Sequence, residues 1–62
     1  MYHKIEIITE TEVLVYIYAS QQVADNGGEW ESIQSHPLPA DVEAWAVQNG
    51  FQAGDNGYFK VV

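Results

Sequence analysis

Glu12-Val13-Leu14-Val15-Tyr16-Ile17-Tyr18-Ala19-Ser20 is the stretch on which the fold turns. It is rich in β-branched and aromatic residues, which suit a pleated, packed surface. In a strand successive side chains point to opposite faces. Val13, Val15, Ile17 and Ala19 then share one face, and Leu14, Tyr16 and Tyr18 share the other. Both faces are apolar or aromatic. A chain of 62 residues has material for one helix, which covers one face of a sheet of three or four strands. The other face is a candidate contact surface.

Upstream, Tyr2–Thr9 alternates as a second strand, with His3, Ile5 and Ile7 on one side. Thr9–Glu12 is short and polar and suits a hairpin connection, although it has no Gly or Asn. Antiparallel pairing then gathers Ile5, Ile7, Val13, Val15 and Ile17 inward. Downstream, Asp25-Asn26-Gly27-Gly28 signals a turn. Glu29–Gln34 reads either as a third strand, with Trp30 and Ser32 on one side and Glu31 and Ile33 on the other, or as a loop.

Helical spacing over Pro39–Asn49 predicts a helix, with Pro fitting its first position and Asp41 its first turn. Leu38, Val42, Trp45 and Ala46 form its apolar stripe, widened by Ala40, Ala44 and Val47. Gly50 stops it in the left-handed region, and Phe51 folds back on the last turn. Gly54-Asp55-Asn56-Gly57 predicts another turn, and Tyr58–Val62 a terminal strand. The expected fold is α+β: residues 1–62 as one small domain, a small antiparallel sheet of three or four strands with one helix on one face, in the order ββ(β)αβ.

Charge narrows the function. Nine Asp and Glu stand against two lysines, with no arginine, for a net charge of −7. That balance repels phosphate backbones and anionic membrane surfaces, so direct nucleic-acid or membrane binding is not expected. It complements a basic protein; it also serves plain solubility. Cysteine is absent, which excludes disulfides and thiolate metal sites. The N-terminal apolar residues are interrupted by Glu6, Glu10 and Glu12, unlike a signal peptide. No run approaches the roughly 20 apolar residues of a membrane span. A cytoplasmic protein is expected.

Catalytic constellations are weak. Glu10 and Glu12 flank Thr11, and Glu29 and Glu31 flank Trp30. A spacing of two puts each pair on one solvated face, where no carboxyl is pushed towards acid–base duty. Ser20 and Ser32 have no identifiable histidine partner. His3 and His36 lack paired-ligand spacing, and His3 is expected to be exposed. The two Asp-Asn-Gly segments lack the full oxygen set of a calcium loop. No enzyme, cofactor or metal is expected.

Aromatics make up 13% of the chain, enough for a base-stacking platform, but such platforms pair with basic residues that are missing here. Trp45 and Phe51 suit a core. Tyr16, Tyr18 and Trp30 suit either a protein interface or partial cover by Val23 and Ile33. The candidate partner-binding set is therefore Leu14, Tyr16, Tyr18 and Trp30 with Glu10, Glu12, Glu29 and Glu31.

In size, acidity and lack of cysteine the chain resembles the small inhibitors that phages and other mobile elements direct against host enzymes. The resemblance is one of composition and is carried by no motif. It implies a non-catalytic module whose carboxylates, Asp41 and Glu43 among them, occupy a basic nucleic-acid-binding surface of a host protein. The alternative is a structural protein in which Leu14, Tyr16 and Tyr18 pack on a second copy.

Overall fold

The computed structural model describes residues 1–55 and 57–62. The fold is α+β. Strands β1 (Tyr2–Ile8), β2 (Glu12–Tyr18), β3 (Ser32–Pro37), β4 (Gln52–Gly54) and β5 (Gly57–Val61) form one antiparallel sheet in the order β3-β2-β1-β5-β4. Helix α1 (Gln21–Asp25) follows β2, and α2 (Val42–Gln48) follows β3. Among the described residues the sheet has five strands where three or four are expected, and the fold has two helices where one is expected.

The β1–β2 connection forms without Gly because Thr9 supplies the turn itself. Its Oγ1 accepts from the Thr11 and Glu12 amides at 3.2 and 3.0 Å, and its own N–H donates to the Glu12 carbonyl at 2.9 Å. The register between β1 and β2 shifts between Ile5 and Ile7, so Glu6 is an extra residue: a β-bulge. Ile5 pairs with Val15, yet Ile7 pairs with Leu14. The bulge therefore carries Ile7 to the face opposite the expected one, where it is 42% exposed. The inward set is Ile5, Val13, Val15 and Ile17 without Ile7.

α2 packs on that inward face. Ala46 and Phe51 join Ile5, Val13 and Val15 in the core, with Val42, Trp45 and Tyr58 against them. Full burial of each valine contributes about 1.5–3 kcal/mol. The helix is shorter than Pro39–Asn49 because Asp41 serves as N-cap, accepting from the Ala44 amide at 3.1 Å. Leu38 and Ala40 precede it, and Leu38, Ala40, Ala44 and Val47 are exposed rather than part of the stripe. The end is as expected: Gly50 takes φ +85°, and the Phe51 amide reaches the Ala46 carbonyl at 2.9 Å.

α1 ends by the same motif. Asn26 is its C-cap, Gly27 takes φ +72°, and the Gly28 amide donates to the Val23 carbonyl at 2.8 Å. Asp25–Gly28 thus ends a helix rather than turning a hairpin. The third strand lies at Ser32–Pro37, later than Glu29–Gln34, and Trp30 and Glu31 precede it. The expected turn at Gly54–Gly57 joins β4 to β5, with Gly54 paired to Gly57; Asn56 lies outside the described residues.

Candidate protein-binding face

The sheet face away from α2 is assembled by register. Tyr16 of β2 stands between Ile33 of β3 and Lys4 of β1; Leu14 stands between Ser35 and Ile7; Tyr18 stands beside Tyr2. Trp30 leaves its loop to meet Tyr16 edge-on, with ring centroids 5.9 Å apart. Trp30 is 49% exposed, Ile7 42% and Ile33 38%, while Leu14 and Tyr16 beneath them are half-buried. These five residues form an apolar patch over β1, β2 and β3. Scattered exposed apolar residues are ordinary; a contiguous group on one face is a candidate contact surface.

The carboxylates lie at the two ends of this patch. β2 and β3 are antiparallel, so Glu10 and Glu12 stand at the Pro37 end and Glu29 and Glu31 at the Ser32 end. Glu12 accepts a hydrogen bond from the Ser35 hydroxyl. No family model, curated protein or solved structure matches this chain.

Tyr18 does not belong to the open patch. It is 6% exposed, and α1 lies against its strand. Its hydroxyl donates to Glu6 Oε2 at 3.2 Å, and Lys4 Nζ meets Glu6 Oε1 at 3.0 Å. Burial raises the Tyr18 hydroxyl pKa above its ordinary value, with the Glu6 carboxylate adding to the effect. Burial likewise raises that of Tyr2, which tilts against Tyr18 at 6.5 Å and stacks on Phe59 at 5.6 Å; Asp25 adds to its shift. The two tyrosines and the Lys4–Glu6 pair bound the patch on its β5 side.

Sequence reasoning missed Ile7 and Ile33, because one depends on the bulge and the other on the position of β3. It also missed a cleft of about 430 Å³ between α1 and the β4–β5 hairpin. Tyr2, Lys4 and Phe59 line it, with Asp25 and Asp55. Finding it required both α1 and β4.

The histidines sit elsewhere. His3 is half-buried rather than exposed, and its pKa is lowered by burial first, then by the Lys60 ammonium and the chain's amino group. His36 packs against Trp45 with ring centroids 5.1 Å apart. Among the described residues no three His, Asp or Glu side chains gather as a metal site requires. No helix among them is long and apolar enough to cross a membrane.

Proposed function

We propose that this chain is a non-catalytic protein-binding module that lays its β1–β2–β3 face on a basic protein surface. One observation carries the reading: the open patch of Trp30, Ile7 and Ile33 has carboxylates at both ends. Neither lysine offsets them, since Lys4 is paired with Glu6 and Lys60 lies on the α2 face, opposite the patch, where it donates to the Asn49 carbonyl. Aromatic anchors within an apolar centre, ringed by charge, are the usual anatomy of an interface. A module of net charge −7 suits occlusion of a surface that otherwise binds nucleic acid, as the compositional likeness to mobile-element inhibitors implies.

The test is capture of a basic protein from host extract, its identification by mass, and binding measurements with that protein purified. Trp30→Ala is expected to weaken binding about tenfold or more, and affinity is expected to fall as salt rises. Binding indifferent to both would refute the proposal. Competition with nucleic acid for the same partner tests the occlusion.

A further inference from the structure

The outer strand of the sheet has an edge that carries proline at one end, Pro37, and no charge between Ser32 and His36. β3 is last in the strand order. The Leu38 amide donates to the Thr11 carbonyl at 3.0 Å, one step beyond the Glu12–Pro37 pair. Bonded and non-bonded pairs alternate along an antiparallel ladder. Ser32, Gln34 and His36 therefore turn their backbone groups towards β2, and Ile33, Ser35 and Pro37 turn theirs outward. Pro37 has no N–H to offer and occupies an outward position, as edge prolines do. Among the described residues no backbone carbonyl outside the sheet ladders accepts from the Ile33 or Ser35 amide, and no strand lies beyond β3.

Edge strands are normally blunted by shortness, charge, proline, a bulge or a covering segment, and β3 has proline at its Pro37 end, which leaves Ile33 and Ser35. The opposite edge, β4, has three residues; β3 has six and includes no Lys, Arg, Asp or Glu.

We propose that an extended basic segment of the partner adds to β3 as a further antiparallel or parallel strand. This rests on the protein-binding reading and names how the partner docks. Charge selects the occupant. A second copy pairing β3 with β3 about a two-fold axis would run antiparallel. It would bring the Glu29 and Glu31 end of each copy beside the Glu10 and Glu12 end of the other. Like charges would meet at both ends, which destabilises the pairing. A segment with Lys or Arg towards its ends meets the same carboxylates favourably. Its central side chain beside Ile33 is best apolar, because it lands next to the exposed Ile33 and Trp30.

The test follows amide hydrogen exchange in the isotope-labelled full chain with a synthetic capped peptide, Lys-Val-Thr-Val-Thr-Val-Lys. Saturating peptide is expected to slow exchange at Ile33 and Ser35 by about tenfold or more, as occupied hydrogen bonds do. The same peptide N-methylated at the residues facing β3 is expected to give no slowing, and it leaves the protein unaltered. Ser35→Pro removes one outward amide at an edge position that tolerates proline, and is expected to abolish the peptide's effect. Unchanged exchange at both amides under saturating peptide overturns the proposal. So does protection without peptide that grows with protein concentration, which would assign the edge to a second copy. If Trp30→Ala weakens binding of the captured partner and Ser35→Pro does not, the edge is refuted while the face stands. If neither does, both fall.

Discussion

Glu6 shapes the candidate face more than its exposed position suggests. As the bulge residue it moves Ile7 to the patch, and its carboxylate holds both Lys4 and the Tyr18 hydroxyl. The raised hydroxyl pKa values of Tyr2 and Tyr18 have a definite sign. A group whose folded value lies above its unfolded one stabilises fully below the unfolded value, and that contribution is lost as pH rises through the folded value. Tyrosinate absorbance is therefore expected to include a late component that tracks alkaline unfolding. Tyr18→Phe should shrink it; an unchanged late component would contradict the assignment. His3 acts in the other direction. Its lowered value favours neutral imidazole in the folded state. The folded state then binds fewer protons, and stability falls as pH drops from the ordinary histidine value through that of folded His3. Thermal melts of His3→Gln should show a flatter pH dependence between about pH 5 and 7 than the parent.

At the scale of elements, two short helices depend on their caps. Asp41 caps α2 and the Ser20 hydroxyl accepts from the Val23 amide at 3.3 Å in α1. Asp41→Ala is expected to lower global stability by about 1 kcal/mol in urea unfolding, since α2 seals the core. Ser20→Ala should act locally, speeding amide exchange at Val23 and Ala24. The central hairpin and α2 were legible because their signals are local: β-branched alternation, apolar residues at helical spacing, Asn49-Gly50-Phe51 behind them; Asp41, read as a first-turn residue, is the N-cap. α1 carried comparable punctuation in Ser20 and Asn26-Gly27-Gly28, but the same Asn-Gly pair also reads as a hairpin turn. Only five helical residues lie between the caps, too few for a periodic signal to arbitrate. β4 has three residues and is defined by pairing with β5, which no local pattern reveals. The site was half legible. Leu14, Tyr16 and Trp30, expected from β2 and from aromatic character, lie together on the candidate face, whereas Tyr18 is covered through α1 and Ile7 is exposed through the bulge.

For the whole molecule, the two faces of the sheet have different fates. One is closed by α2 and Phe51. The other is closed towards Tyr2 and Tyr18, where α1 lies against β2, and stays open around Ile7, Ile33 and Trp30. In the proposed function, charge selects what approaches: carboxylates at both ends of the open face and a net charge of −7 are the features that would discourage a second copy and attract a basic partner. The most direct test is a map of amide and indole chemical-shift changes on titration with the captured, purified partner. The changes are expected at Ile7, Leu14, Tyr16, Ile33 and the Trp30 indole, with α2 quiet. Changes concentrated on Val42–Gln48 and the exposed side of α2, with the Trp30 indole unmoved, would contradict the account.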